Sequence, residues 1–390
     1  MKRNRPLRRT RQTPDTELLI RLATRLSESS SRIEDSFWDS RLNALVARLL
    51  ADGEEETLLA ALDPLYREAS PAYGVLADSI ECCVESPQVN SPGKLDALLI
   101  AIPILAWSRF SIASGLIPAA LLAAIRTHLQ AHVLAANVKL GLCDTLLSPD
   151  QLPPTYVETA QLADKLAKAA VHDRDLKLDP KQLPETINFL SDTRYLLAAI
   201  AAPKGDALFR WQEADGDRAE SFRQWALQGG EAIRSLLPAC ALEFQPVGAY
   251  HATVLDADRA SRPWSLRSVV AYLQTVLTVQ PADLHATIAL FEDDQVDEYR
   301  IGLTLGAQRE VVHGVVWPLL EGENDNSDMP AQIEAVLREA GVTHVNFLNQ
   351  RFPLEYCDDC GAPLYPAPDG EAMHAELPEE QAASAPRHLH

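Results

Sequence analysis

The spacing of apolar residues predicts an α+β protein of more than one domain. An N-terminal all-α domain covers 16–172, a mixed-sheet α+β domain covers 194–350, and a loop-rich, zinc-knuckle-like C-terminal extension covers 351–390. Three observations lead there. Up to residue 171, apolar residues recur at helical spacing behind recognisable caps. From Tyr195 onward, short strand-like runs alternate with single helices. Near the end, Cys357 and Cys360 stand two residues apart and are followed by Gly361.

After a basic tail at 1–15, Ser31 and Glu34 make a capping box, because each side chain can satisfy an amide the other leaves bare. Trp38, Leu42, Leu45 and Leu49 then share one helical face, and Gly53 offers a stop. Glu54, Glu55 and Glu56 suit the positive end of the next helix, which carries Leu58, Leu59, Leu62 and Leu65. The longest apolar run, ALLIAIPILAW at 97–107, is too short to span a bilayer and reads as a buried core helix or two short elements broken by Pro103. An Ala/Leu helix is expected over about 117–141, and Thr155 with Glu158 caps another before Leu162 and Leu166.

Residues 172–193 have little periodicity and two prolines, so a linker is placed at 173–193. Beyond it, RYLLAAIAAP and DALFRWQ read as two strands around Lys204–Gly205. A helix at about 219–237 precedes strand-like CALEFQ. AYHATVLDA is followed by a helix from Ser265 to Leu277 and by HATIALF. The hairpin EYRIGLTL…EVVHGVVWPL precedes a helix at 329–340 that ends at Gly341, and THVNFLN closes the run. LFRW…ALEF and GVVW…HVNF form a weak internal echo, a possible duplication that places Trp211 and Trp317 in matching positions as core anchors.

The chain carries a net charge of −20, and residues 2–11 hold six Lys or Arg and no acid, so the remainder carries −26. An acidic body repels phosphate backbones. Nucleic acid would have to be held locally, through residues 2–11. Residues 18–22 are not the apolar core of a secretion signal, and no run suits a membrane span. Six cysteines in 390 residues do not make a disulfide scaffold. The expectation is a soluble protein of a reducing cytoplasm.

Cys-x-x-Cys supplies two thiolates from one tight turn, and zinc takes four soft or borderline ligands in a tetrahedron. CDDCGAPLY therefore resembles one knuckle of a zinc ribbon, without the second Cys-x-x-Cys of that pattern. Histidines can complete the set. The proposed structural zinc site is Cys357, Cys360, His374 and a terminal histidine, His388, with His390 as the alternative. A redox pair is disfavoured because Asp358 and Asp359 raise the thiol pKa and the sequence after Cys360 forms no helix. Cys82, Cys83, Cys143 and Cys240 lie in apolar stretches as core thiols.

Other candidates have plainer readings. His128 and His132 fall on one helical face, half-buried at a core edge or, alternatively, part of a metal-dependent active site. The carboxylates of 292–298 could hold a hard cation but read as a solvated loop, as do those of 321–328, where Asp328 can cap the next helix. His313 alternates with Val311, Val315 and Trp317 as a core histidine. There is no phosphate-binding glycine loop, no dinucleotide fingerprint and no nucleophile elbow.

IPILAW (102–107), LQAHVLA (129–135), LFRWQE (208–213), DEYRIG (297–302), GVVWPL (314–319) and RFPLEYCDDCGAPLYP (351–366) together resemble a β-proteobacterial domain of unknown function over nearly the whole chain. The resemblance implies a bacterial, cytoplasmic protein and brings no activity or catalytic residue with it. The expected function is a non-catalytic binding or scaffold protein with a protein partner. The alternatives are a metal-dependent enzyme using His128 and His132 or the 292–298 carboxylates, and a nucleic-acid-associated factor using the basic tail and the knuckle.

Overall fold

The computed structural model describes residues 13–89, 94–186, 190–293, 297–320, 323 and 328–378. The basic tail at 2–11 and both terminal histidines, His388 and His390, lie outside the described residues.

Four helices open the chain: α1 (Pro14–Ser27), α2 (Arg32–Asp52), α3 (Glu55–Arg67) and α4 (Ala72–Glu85). Their caps follow the sequence. Ser31 Oγ accepts from the Glu34 amide at 3.2 Å, and Gly53 adopts φ +76° at the C-cap of α2. Leu19, Leu42, Val46, Leu58, Leu76 and Ile80 are fully buried in their shared core.

The chain then changes character earlier than its apolar spacing predicts. β1 (Leu95–Trp107) is a single strand of 13 residues, not a helix or two short elements. It is followed by β2 (Gly115–Leu116), α5 (Ala119–His132), β3 (Lys139–Leu142), β4 (Thr145–Leu146), α6 (Tyr156–Val171) and β5 (Ser191–Pro203). The stretch expected to be all-α up to 172 thus holds four strands. β1 pairs along its whole length with β5, so sequence on both sides of 173–193 shares one sheet. A strand buried on both faces shows no alternation, and its run of apolar residues reads equally as helix. Pro103 is tolerated because β6 pairs with Ile104–Trp107 and β7 with Ile100–Ala101; its missing N–H falls at the break between them.

Next come α7 (Arg218–Gln224), α8 (Gly230–Arg234), β6 (Ala241–Phe244), β7 (Gly248–Ala249) and α9 (Tyr250–Leu277). A π-turn at Trp225–Gly229 joins α7 to α8. AYHATVLDA belongs to α9, one helix that runs through Pro263. The second strand expected after Lys204–Gly205 does not form: Arg210–Gln212 is a 3-10 turn. The internal echo fails there, since Trp211 sits in that turn while Trp317 is buried in a strand. It fails again at ALEF, antiparallel to β1, and HVNF, parallel to β8.

The first sheet has the order β3-β5-β1-β6, with β7 also on β1, and it is covered on both faces. Ile100, Ile102, Ile104, Leu196 and Ile200 face α5, α7 and α8. Leu99, Ala101, Leu197 and Ala199 face α6 and α9. Small side chains permit close approach on that second face. A Cβ on Gly141 of β3 would come within 2.7 Å of the Ala170 nitrogen of α6.

The last third comprises β8 (Leu284–Glu292), β9 (Asp297–Leu305), β10 (Val311–Pro318), α10 (Met329–Glu339), β11 (His344–Pro353), β12 (Tyr365–Pro366) and β13 (Ala372–Met373). The second sheet has the order β10-β9-β8-β11, antiparallel except for β11, which runs parallel to β8. It is therefore the mixed sheet the sequence predicts. Ile288, Ile301, Leu303, Val315 and Trp317 pack on one face against Leu266, Val270 and Leu273 of α9 and Ile333 and Leu337 of α10. The other face receives the C-terminal extension. Among the described residues, no helix is long and apolar enough to cross a membrane.

Candidate metal centre

The polypeptide leaves β11 at Pro353 and doubles back on itself. Leu364 N–H donates to Glu355 O at 3.2 Å, and Cys357 N–H donates to Ala362 O at 2.7 Å. Gly361 closes the turn by donating to Cys357 O at 2.8 Å with φ +73°, a conformation that glycine adopts without steric cost. Both cysteines ride on this loop. β12 and β13 then form a hairpin in which Tyr365 faces Met373, and its return strand delivers His374 beside the loop. Arg309 braces the hairpin turn by pairing with Asp369 and Glu371.

Cys357, Cys360 and His374 converge, with their ligating atoms all within 4.8 Å of one another. Cys360 Sγ lies 3.3 Å from His374 Nε2. With Zn–S near 2.3 Å and Zn–N near 2.0 Å, the S···N edge of a tetrahedron is about 3.5 Å, so the Cys360–His374 pair is spaced to share one ion. His374 Nδ1 lies 3.3 Å from Glu376 Oε1. A carboxylate on the far nitrogen fixes the tautomer and orientation of a ligating imidazole. The Cys357 thiol is held below its ordinary pKa by the backbone amides of Cys360 and Asp359, against the opposing charge of Asp359. The aspartate charge therefore does not set this thiol's pKa as the sequence predicts; the amides pointing at sulfur outweigh it.

The loop is fastened to the second sheet by a residue that the sequence did not single out. Arg300 on β9 is fully buried; its Nη1 donates to Glu355 O at 2.7 Å and to Leu364 O at 2.8 Å, one carbonyl on each arm of the stem. Its Nε donates to Glu298 Oε1 at 2.6 Å, which neutralises the buried charge. The guanidinium also lies over the rings of Phe291 and Tyr356, at 4.4 and 5.1 Å. β12 in turn crosses the sheet where Gly302 and Gly314 face each other on β9 and β10. A Cβ on Gly314 would meet the Tyr365 ring at 2.2 Å, and one on Gly302 would meet Pro366 O at 2.2 Å. Glycine inside a strand marks a close backbone approach, and that signal was present in DEYRIGLTL and VVHGVVW.

The other candidates disperse. His128 and His132 are half-buried with parallel rings 6.0 Å apart, and His132 Nε2 lies 3.1 Å from Gln228 Oε1. His132 lines a cleft of about 460 Å³ with Arg210, Glu213, Asp215, Asp217 and Glu220; His128 does not. Within 292–298, Glu292 pairs with Arg351 at 2.7 Å and Glu298 is buried on Arg300, so neither belongs to a solvated loop, while 294–296 lie outside the described residues. Glu323 chelates Arg262, and Asp328 precedes α10 without a side-chain cap. His313 shares its face with Val315 and Trp317, but a bulge turns Val311 to the opposite face. Of the four other cysteines, Cys143 is buried and Cys83 half-buried, both thiols pushed up to about 12 by burial; Cys240 is half-buried and Cys82 is exposed, not in the core.

The chain belongs to DUF2863, described as a protein family of unknown function, whose model matches residues 4–388. No curated protein and no solved structure matches it.

Proposed function

We propose that this member of the family is a non-catalytic cytoplasmic binding or scaffold protein whose C-terminal extension is clamped by a structural zinc ion. The observation that carries this reading is the convergence of Cys357, Cys360 and His374 within 4.8 Å on a segment with little core of its own. Zinc suits two thiolates and an imidazole, and a structural ion contributes on the order of 10 kcal/mol to a segment of this kind. His388 supplies the fourth ligand in this proposal. The chemistry of the ion is purely structural: it joins the knuckle loop to the β12–β13 hairpin.

A partner surface is assigned to the helical end. Ile33 is 87% exposed and Phe37 45% exposed on the first turns of α2, and Leu59 and Tyr66 add to the apolar surface of α3.

Elemental analysis of the purified chain tests the metal. The expected result is one zinc per chain, lost in a Cys357→Ser/Cys360→Ser variant and weakened in His388→Ala. A metal-free protein whose 354–378 amides are already protected from exchange would remove the proposal. Full zinc retention in His388→Ala would reassign the fourth ligand alone.

A further inference from the structure

Two histidines outside the cysteine centre meet across parallel strands. His344 opens β11 and stands directly opposite His285 of β8. Residues opposite each other in a ladder project on the same face. Their ring centroids are 4.2 Å apart and the planes are tilted by 34°. His285 is half-buried and His344 exposed, so water and ions reach the pair. Neither ring makes a hydrogen bond within the described residues.

We propose that His285 and His344 form a second metal site, a two-imidazole chelate for a borderline divalent transition ion such as Ni²⁺, Co²⁺ or Zn²⁺. Imidazole nitrogen suits these ions, whereas Mg²⁺ and Ca²⁺ select oxygen. Two nitrogens bound at about 2.0–2.1 Å to one ion lie about 2.9–3.4 Å apart. Opposite positions on neighbouring strands set the two side chains side by side, and rotation about their side-chain bonds turns one nitrogen of each ring toward a shared ion at that separation. No third thiol, imidazole or carboxylate joins the pair among the described residues, so water fills the remaining positions.

The pair at His128 and His132 differs in that the His132 Nε2 is already engaged by Gln228 Oε1 at 3.1 Å.

The place of the site in the fold gives it a consequence. β11 is an edge strand, and its regular pairing with β8 is interrupted between Phe347 and Arg351. An ion shared by His285 and His344 staples the first residues of that edge strand to its neighbour. It acts independently of the cysteine centre, so it stands or falls apart from the zinc proposal.

The test is Ni²⁺ uptake by the zinc-loaded full chain, measured by equilibrium dialysis beside amide exchange in β11. The expected result is one Ni²⁺ fewer in His344→Asn and in His285→Asn than in the parent protein. His132→Asn and Cys357→Ser/Cys360→Ser should keep that equivalent. Ni²⁺ should also slow exchange at residues 344–347 in the parent and not in the two variants. His344 is exposed, so its replacement leaves folding intact and decides the matter if His285→Asn unfolds. Unchanged uptake in His344→Asn, or a loss confined to His285→Asn with its fold intact, overturns the proposal.

Discussion

The two sheets of this protein are finished in different ways. The first is covered on both faces by helices, and Leu99, Ile100, Ile102, Leu197 and Ile200 lose all contact with solvent. Apolar burial of that extent needs no special device, at about 25 cal/mol for each Å² removed from water. The second sheet has helices on one face only. Its other face is covered by a segment with two-residue strands and small apolar clusters around Phe291 and Tyr365. There the attachment is local and polar: a buried arginine, a glycine seat and the convergent Cys357, Cys360 and His374. A large core holds whatever packs on it, whereas a thin cover must be pinned point by point.

The contrast can be broken most severely at Arg300. Arg300→Met strands a buried Glu298 carboxylate and two carbonyls, a loss of about 3–5 kcal/mol. Leu99→Ala in the first sheet is expected to cost a similar 2–5 kcal/mol through the cavity it leaves. The two should differ in where the loss appears. Amide exchange should rise at 354–378 first in Arg300→Met, and together through β1 and β5 in Leu99→Ala. Equal loosening of β1 and β5 in both variants would contradict the division drawn here.

A milder probe is Gly314→Ala. The added methyl meets the Tyr365 ring and forces β12 off the sheet, with a cost of about 1–3 kcal/mol in thermal unfolding. Zinc affinity should fall with it, because His374 follows the displaced hairpin. Unaltered affinity would mean that the knuckle holds its ligands without the seat.

The smallest effect concerns the junction between the helical end and the first sheet. Glu85 at the end of α4 accepts from the His251 amide of α9 at 3.2 Å. Burial pushes the Glu85 carboxyl up to about 7 and the His251 imidazole down to about 4. Glu85 favours folding when protonated, so its contribution is full below pH 4.5 and is lost as pH rises through 7. His251 favours folding when neutral, so its contribution is full above pH 6.5 and is lost as pH falls through 4. The two trends oppose each other. Denaturant midpoints of Glu85→Gln should rise with pH over that window, and those of His251→Phe should fall. Parallel slopes in the two variants would show that the groups do not titrate as described.

Much of this was legible in the chain itself. Ser31, Gly53 and Thr155 mark helix ends because capping is a contact between near neighbours. The β9–β10 hairpin, α10 and the cysteine loop are equally local, and each forms where its spacing placed it. The long strand β1 was not legible. Its thirteen residues are strand because β5 lies alongside, nearly a hundred positions later, and an apolar run does not state what it will pack against. The strand glycines Gly302 and Gly314 signalled a close approach, but neither their facing each other, nor what Arg300 holds, nor the meeting of His285 with His344 could be read in advance. Sequence determined the turns, the caps and the cysteine pair on its tight loop, since these depend on residues a few positions apart. Tertiary structure alone decided which strands pair, what Arg300 holds and how His374 reaches the cysteines, since those contacts join distant parts of the chain.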